Sequence, residues 1–383
     1  MSHNQISPGG FTAILSLTLE STTISIGISP LFQQAHEDAW MVPPLAMVAA
    51  LLVLFPLYRL FARLGTALFN HERTLSIWES LLLVPLCLVL LYWMVFNTRV
   101  FSDVILMSFL PGTPNWVVYG GFLAVCAFAS FHGIEVLARV ALLVVFIKSI
   151  LVGVTPVFVL EEVDVNNFLP LLARGPSPVL WGVLESFSWF AEGAMLAFLF
   201  PLVQKGRFRH VIYGYLLSME TYYVYFISSV LIFTAPLVSR MVYPALLLVQ
   251  MMAVGDFFDR IDPILVSVWA FAMFVKVGVY LLILSALLSR LLRVKIRTRL
   301  SWLLALLGVF LTDSIVHNVG HEIQVYREYW PWVSVVVLVD LYLLGWALHR
   351  RSGTLPLHAP PVPGEDKNES WNVIEGRVTD GST

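Results

Sequence analysis

The stretch ILSLTLESTTISIGI, residues 14–28, decides the fold, because it places four polar residues, Glu20 to Thr23, in the middle of a long apolar run. Glu20 follows Pro8, near the start of that run, by about 12 residues, and a helix rises ~1.5 Å per residue, so the carboxylate is predicted to lie ~18 Å into a bilayer. A charged residue at a helix centre costs on the order of 2.5 to 3.5 kcal/mol, and such residues usually are paired or face a polar cavity. The stretch therefore predicts a membrane helix interrupted at a functional site.

A second polar break is predicted near residue 192. Residues 186–191 read SFSWFA, which mixes small and polar side chains, and Glu192 and Gly193 follow at once, with Glu192 14 residues beyond Pro178. Such a mixture at membrane depth suits a helix that unwinds around a ligand. The alternative is that the hydroxyl groups satisfy backbone carbonyls inside intact helices.

Both breaks belong to a chain made mainly of apolar runs, each near the ~20 residues that a helix needs to cross the hydrocarbon core. About ten runs are predicted as spans: 7–32, 40–60, 78–107, 116–131, 136–160, 179–203, 211–238, 262–288, 300–316 and 329–348. With 58% hydrophobic residues, 13% charged residues and a mean hydropathy of +0.81, the chain has too few polar side chains to cover a soluble globule. We predict an all-α integral membrane protein whose ten transmembrane helices form one domain, 1–350.

The two breaks fall in the first and the sixth of these spans. That placement is what an inverted five-plus-five repeat predicts, with substrate bound at the bilayer midplane between two broken helices. The repeats would cover about 6–160 and 178–348.

Basic residues collect in alternate gaps between the spans. Of the 23 Lys and Arg residues, 16 lie after the second, fourth, sixth and eighth spans and in the C-terminal tail, whereas four lie in the other gaps. The positive-inside rule therefore places the first set of gaps and both termini in the cytoplasm. The tail, 351–383, is rich in Pro, Gly and polar residues, and it is predicted to be a disordered cytoplasmic segment.

Further ionisable residues lie within the spans and are candidates for the same reason as Glu20: Lys148, Glu185, Glu220, Lys276 and Asp340. Arg99 and Asp103 are four residues apart, so they share one helical face and are predicted to form a structural ion pair.

Signatures of metal centres and enzymes are weak in this chain. Asp313, His317 and His321 have the i, i+4, i+8 spacing that metal ligands use, but an external polar helix end with exposed side chains is the favoured explanation, and no metal is predicted. The pair His321 and Glu322 begins like the zinc motif H-E-x-x-H, yet Val325 stands where the second histidine would be, and no phosphate-binding glycine motif occurs.

A series of short motifs runs along the chain in a fixed order: Ile6-Ser7-Pro8, Asp38-Ala39-Trp40, Arg99-x-Phe101, Leu110-Pro111-x-Thr113-Pro114, Gly133-Ile134-Glu135, Ala138-Arg139, Asn167-Phe168-Leu169-Pro170, Phe190-Ala191-Glu192, and Asp259-Arg260-Ile261-Asp262 followed by Trp269 and Lys276. Taken together, over about residues 6–348, they resemble the endospore germination permease family. This family supplies the B subunit of the spore germinant receptor.

The resemblance implies the leucine-transporter fold of the amino acid/polyamine/organocation superfamily. It also implies a location in the inner membrane of bacterial spores, a small germinant such as an amino acid, and two partners, a larger membrane A subunit and a C lipoprotein. One residue departs from the pattern, because the family usually has glycine where this chain has Glu20. A carboxylate there would repel an amino acid's own carboxylate, so the germinant is expected to be cationic or neutral unless Glu20 faces away.

We therefore predict a non-enzymatic, germinant-sensing permease homologue without cofactor or nucleic-acid partner, which contacts germinant, A and C subunits and membrane lipid. Its predicted ligand-binding residues are Glu20, Ser21, Thr22, Thr23, Ser188, Glu192, Gly193 and Lys276, the last as a cation in place of the sodium that some relatives use. Two alternatives stay open. One is an amino acid transporter coupled to protons through Glu192 and Glu220, and the other is a structural subunit without a ligand.

Overall fold

The computed structural model describes residues 5–64, 74–251, 262–294, 297–315 and 319–352. Within these ranges the regular structure is helical, apart from one isolated backbone pairing between Ile6 and Val203. The predicted cytoplasmic tail lies outside the described residues from residue 353 onward.

Fourteen α-helices occur in the described residues, and we number them in chain order: α1 Pro8–Thr22, α2 Ile28–Ala35, α3 Val42–Leu64, α4 Ile77–Ser108, α5 Asn115–His132, α6 Ile134–Phe158, α7 Ser177–Ala191, α8 Phe208–Phe233, α9 Ala235–Val238, α10 Pro244–Met251, α11 Asp262–Leu291, α12 Arg297–Ile315, α13 Val319–Gln324 and α14 Trp330–Ser352. Two π-helical segments, Thr23–Gly27 and Val325–Tyr329, connect α1 with α2 and α13 with α14. The 3-10 helices are His36–Met41, Leu160–Glu162, Val165–Phe168 and Glu192–Leu202.

Seven helical stretches of the described chain are long and apolar enough to cross a membrane: Pro8–Leu64, Ile77–Ser108, Asn115–His132, Ile134–Phe158, Phe208–Phe233, Asp262–Leu291 and Arg327–Arg350. The first of them is 57 residues long and contains the first two predicted spans. The sixth predicted span corresponds to α7 and the 3-10 helix that follows it, and the ninth corresponds to α12. Neither of these is among the seven stretches.

Helix α1 lies inside the bundle. Every residue from Gly10 to Thr22 is buried, and α1 packs against α6, α8 and α11. Close packing depends on a missing side chain at Gly214 of α8, where a Cβ atom would lie 2.8 Å from Leu15. Because protein rather than lipid surrounds α1, its polar side chains can be satisfied by neighbouring helices.

The two interrupted segments are tied together at one end by backbone hydrogen bonds. Ile6 N donates to Leu202 O at 2.9 Å, and Gln204 N donates to Ile6 O at 2.9 Å. The residues just before α1 therefore pair with the end of the Glu192–Leu202 helix.

Candidate functional site

The interruption after α1 is one turn of π-helix, Thr23–Gly27. A π-helical turn shifts the backbone hydrogen bonds by one residue, and such turns are frequent at functional sites. Side chains donate hydrogen bonds to the carbonyl groups beside it: Trp269 Nε1 donates to Ser21 O at 2.8 Å, and Ser25 Oγ donates to Thr22 O at 2.8 Å. Trp269 of α11 thereby holds the end of α1 from outside the helix.

The interruption after α7 is a change from α-helix to 3-10 helix at Glu192. Two tyrosine hydroxyls bond to carbonyl oxygens around this change, because Tyr215 donates to Phe190 O and Tyr58 donates to Gly193 O at 2.7 Å. Tyr215 lies so near that a Cβ atom on Gly193 would be 2.5 Å from its hydroxyl. A side chain at this position would therefore displace the Tyr215 hydroxyl of α8.

Glu192 and Lys276 form one buried ion pair. Lys276 Nζ lies 2.9 Å from Oε1 and 3.0 Å from Oε2 of Glu192, and it also donates to Thr22 Oγ1 at 2.6 Å. Tyr280 donates to Glu192, and Thr22 donates to Asn97 of α4. This cluster links α1, α4, α11 and the start of the 3-10 helix, and its two formal charges neutralise each other.

Glu20 and Lys148 form a second buried ion pair. Lys148 Nζ donates to Glu20 Oε2 at 2.8 Å, to Leu217 O at 3.0 Å and to Ser16 Oγ at 3.3 Å. The side chains of Lys148 and Glu20 are 5% and 3% exposed, so protein rather than water surrounds both charges. An ammonium group has three donors, and all three have acceptors here.

A cavity of about 80 Å³ lies beside the second pair and the π-helical turn. At roughly 10 to 15 Å³ for each water molecule, it has room for several waters. Its polar and aromatic lining consists of Glu20, Ser21, Ser25, Lys148, Thr221, Tyr225, Tyr243 and Trp269. The remaining lining is apolar and comes from α1, α4, α6, α10 and α11. The hydroxyl group of Ser21 is buried and has no hydrogen-bond partner among the described residues.

The predicted ligand-binding residues fall into separate groups in the structure. Glu20 and Ser21 line the cavity, whereas Thr22 and Glu192 both contact Lys276 outside its lining. The remaining predicted residues, Ser188, Gly193 and Thr23, are in neither group. The hydroxyl of Ser188 donates to Glu185 O at 2.6 Å within its own helix, and the carbonyl of Gly193 accepts from Tyr58. The side chain of Thr23 lies outside the described residues.

Arg99 and Asp103 form an ion pair, with 2.9 Å between Arg99 Nε and Asp103 Oδ1, and they belong to a larger hydrogen-bond network. Arg99 Nη1 also donates to Tyr119 OH and to Asp313 Oδ1, each at 3.0 Å, and Tyr119 OH donates to Asp313 Oδ1 at 2.9 Å. The network joins α4, α5 and α12. Across the described residues, no group of three or more His, Cys, Asp or Glu side chains is placed to hold a metal ion, and His317 lies outside them.

Sequence reasoning did not assign three side chains that shape the site. Lys148 was apparent as a charge within a span, but nothing in the spacing paired it with Glu20, which is 128 residues away. Trp269 and Tyr280 lie in an apolar run, where aromatic residues are expected for packing alone. A signal exists in the 3.6-residue period, because Trp269, Lys276 and Tyr280 are spaced by seven and four residues and share one face of α11.

The chain is similar to known proteins over most of its length. The chain matches the family described as Spore germination protein over residues 5–322. YfkT of Bacillus subtilis (strain 168), which bears a spore germination protein name, is 26% identical over 270 residues, covering 67% of this chain and 73% of that protein. Spore germination protein KB of the same organism is 26% identical over 251 residues, covering 62% of this chain and 66% of that protein.

A relative from a second species is also similar. Spore germination protein GerQB of Bacillus cereus is 23% identical over 239 residues, covering 61% of this chain and 66% of that protein. The match thus spans slightly under two thirds of the KB and GerQB proteins. Since the family match covers far more than half of the residues, and seven helical stretches can cross a membrane, this chain is a membrane protein of the spore germination protein family.

Proposed function

We propose that this chain is the B subunit of a spore germinant receptor and binds a small, amino-acid-like germinant within the bilayer. The observation that carries the proposal is the cavity beside the π-helical turn, where the buried hydroxyl of Ser21 has no hydrogen-bond partner among the described residues. A buried polar group without a partner is costly, and a ligand can supply the missing bond. Membership of the spore germination protein family supports the same reading.

The proposed architecture is ten transmembrane helices in a five-plus-five inverted repeat. Two features support it: changes of helix type at Thr23 and Glu192, and the backbone pairing of Ile6 with Leu202 and Gln204. In such repeats the ligand lies where the two interrupted helices meet near the midplane. Lys276 then connects the two interrupted helices, because it bonds to Thr22 at the end of α1 and to Glu192 at the start of the 3-10 helix.

A germinant in the cavity would act on the end of α1. It would contact Ser21, whose carbonyl oxygen is held by Trp269 of α11, so a change at Ser21 reaches α11 directly. A ligand shifts a conformational equilibrium by its difference in affinity for the two states. We propose that the A subunit and the C lipoprotein respond to this shift in the spore inner membrane, with both termini of this chain in the cytoplasm.

Filling the cavity tests the proposal. Ala272 of α11 is buried and lines the cavity, whereas Ala270, two residues away, does not line it. In spores with the variant as their only copy, Ala272→Leu should raise the germinant concentration needed for germination at least about tenfold, which corresponds to ~1.4 kcal/mol of binding free energy. Ala270→Leu should leave it unchanged. Wild-type germination by Ala272→Leu spores that contain normal protein levels would contradict the cavity as the site.

Uptake measurements separate a receptor subunit from a transporter. Purified protein in liposomes should bind a radiolabelled germinant amino acid without accumulating it inside, with or without a proton gradient. Gradient-dependent accumulation would favour the transporter. Mild detergent extraction of spore membranes should also recover the A subunit and the C lipoprotein with a tagged copy of this chain, as the receptor assignment requires.

A further inference from the structure

We propose that the end of α3 and the start of α8 form a binding site for the phosphate headgroup of an anionic phospholipid such as phosphatidylglycerol. The site consists of two arginines of α3, two arginines at the start of α8 and one aromatic residue from each helix: Arg59, Arg63, Arg207, Arg209, Phe55 and Phe208. None of these residues lines the cavity, so the inference goes beyond the proposed function.

The four arginines give the site a charge that selects an anion. All four side chains are exposed, and neither 51–64 nor 201–217 contains an Asp or Glu residue. Among the described residues, none of the four arginines has a carboxylate within ion-pair distance. Guanidinium groups match phosphate oxygens with paired N–H donors, and basic pockets between membrane helices bind phospholipid headgroups. A phosphate would supply the countercharge that the protein does not.

Aromatic contacts join the two helices beside their arginines. The guanidinium of Arg59 lies over the ring of Phe55, 4.2 Å from its centroid. That ring meets Phe208 edge-on, with 4.9 Å between the centroids, and Phe208 stands between Arg207 and Arg209 in the chain. A guanidinium that stacks on a ring keeps its N–H groups in its own plane for an acceptor at its edge. Basic residues at helix ends are expected from topology alone, whereas this arrangement between two helices is not.

The neighbouring surface favours a lipid over a soluble phosphate. Leu52 is 71% exposed and lies seven residues before Arg59, on the same face of α3. On α8, Tyr213 and Leu216 are 50% and 51% exposed and lie four and seven residues after Arg209, again on one face. Both helices belong to stretches that are long and apolar enough to cross a membrane. Acyl chains can therefore extend along these apolar faces while the phosphate stays with the arginines.

One residue connects the site with the second interrupted helix. Tyr58 packs edge-on against Phe208, with 6.2 Å between the ring centroids, and its hydroxyl donates to Gly193 O at 2.7 Å. Tyr58 is fully buried. Contacts thus run from the proposed lipid site into the core, so binding of a headgroup should raise the temperature at which the whole protein unfolds.

Thermal unfolding of the purified full chain in detergent tests the proposal, because a ligand that binds the folded state raises the unfolding temperature. Dioleoyl-phosphatidylglycerol is added in increasing amounts, and dioleoyl-phosphatidylcholine, which has the same acyl chains and no net charge, is the comparison. Glycerol 1-phosphate and inorganic phosphate represent the phosphate without acyl chains. Phosphatidylglycerol should stabilise saturably at a mole fraction at least about tenfold below that of phosphatidylcholine, and neither soluble phosphate should stabilise at the same concentrations.

A matched pair of variants locates the effect. Arg59→Gln with Arg209→Gln removes one cation from each helix, and each basic residue near an anionic lipid contributes on the order of fivefold in affinity. This variant should raise the mole fraction of phosphatidylglycerol needed at least about tenfold. Arg139→Gln with Arg350→Gln removes the same charge from exposed positions on α6 and α14, one of which also stacks on an aromatic ring, and should leave it unchanged. Because all four side chains are exposed, both variants should fold.

A third variant tests the aromatic contact. Phe55→Leu keeps the apolar surface but removes the ring under Arg59, so it should weaken the effect of phosphatidylglycerol several-fold. The proposal is wrong if the two double variants lose stabilisation equally, or if phosphatidylcholine acts at the same mole fraction as phosphatidylglycerol. Stabilisation by a soluble phosphate would also contradict it, because the site would then bind an anion without a lipid. The receptor assignment depends on the cavity and stands in each of these cases.

Discussion

Lys276 shows how single residues carry both stability and a candidate function in this protein. It is wholly buried, yet its ammonium group lies between both carboxylate oxygens of Glu192 and the hydroxyl of Thr22. Removing one partner of such a pair leaves an uncompensated buried charge, whereas replacing both by neutral side chains of similar size is often tolerated. The same reasoning applies to Glu20 and Lys148.

The first prediction concerns the Glu192 pair. Lys276→Met should lower the free energy of unfolding by about 3 to 5 kcal/mol, because Glu192 loses its countercharge. Adding Glu192→Gln should restore most of this loss, and thermal unfolding of the detergent-solubilised variants measures it. As a control, Arg139→Ala breaks the exposed pair with Glu135, which is worth at most ~1 kcal/mol. A double variant as unstable as Lys276→Met would show that the pair is not the source of the effect.

The second prediction concerns Arg99, which contacts one buried and one exposed carboxylate. The side chain of Asp103 is 8% exposed and that of Asp313 is 54% exposed. Arg99→Ala should therefore cost about 3 to 5 kcal/mol, mostly through Asp103, whereas Asp313→Asn should cost no more than ~1 kcal/mol. Arg99→Ala with Asp103→Asn should recover most of the protein level in the membrane, measured by immunoblot. If Asp313→Asn is the most harmful single change, the ranking by burial is wrong.

At the scale of elements, the two interruptions depend on neighbouring helices. Tyr58 and Tyr215 donate hydrogen bonds to the carbonyls near Glu192, and Trp269 donates one to the carbonyl of Ser21. Each donor comes from a different helix, α3, α8 or α11. The local change of helix type is therefore supported by tertiary contacts, which fix its position along the chain.

The third prediction tests this support at Gly193. Gly193→Ala places a methyl group 2.5 Å from the Tyr215 hydroxyl and should cost about 1 to 3 kcal/mol in unfolding free energy. Gly120 of α5 has open space at the corresponding point, so Gly120→Ala should be neutral or stabilise by ~0.5 to 1 kcal/mol. Adding Tyr215→Phe to Gly193→Ala removes the clashing oxygen and should recover part of the loss. Equal unfolding temperatures for the two alanine variants would contradict the close approach.

The positions of both interruptions were predictable from polar residues in apolar runs, but the location of the cavity was not. The changes of helix type begin at Thr23 and Glu192, at the predicted polar breaks. The ligand was predicted between these two segments, and that stays a prediction; Lys276 and Thr22 contact each other there at 2.6 Å. The cavity lies toward α6, α10 and α11, and contacts between elements so distant in sequence leave no periodic signal.

At the scale of the whole molecule, composition alone predicted a helical membrane protein, and the helices confirm that coarse statement. The predicted ends of the spans 78–107, 116–131 and 262–288 lie within three residues of α4, α5 and α11, since long apolar runs have sharp polar ends. The count of ten spans, the inverted repeat and the orientation stay predictions. They depend on how helices are arranged across a bilayer, which hydropathy does not encode.

The fourth prediction concerns orientation and uses single introduced cysteines. The native Cys87 and Cys126 are buried, so they should not react in the folded protein. Cysteines at Asn115 and Ala173, both exposed, should react with an impermeant thiol reagent in intact cells, and one at Gln204 should react after permeabilisation alone. Gly112 and Gly175 lie in the same two gaps but have positive φ angles, which makes them poor sites for a side chain. The reverse labelling pattern would overturn the orientation.

The pairing of Glu20 with Lys148 also has a consequence for biosynthesis. The two residues are 128 positions apart, and at roughly 5 to 20 residues per second the ribosome makes Lys148 about 6 to 26 s after Glu20. Until then α1 carries a carboxylate without its partner, although in the folded protein it is enclosed by α6, α8 and α11. The surroundings of α1 are thus completed late, and a pause in translation between Glu20 and Lys148 prolongs the exposure of its carboxylate to quality-control proteases.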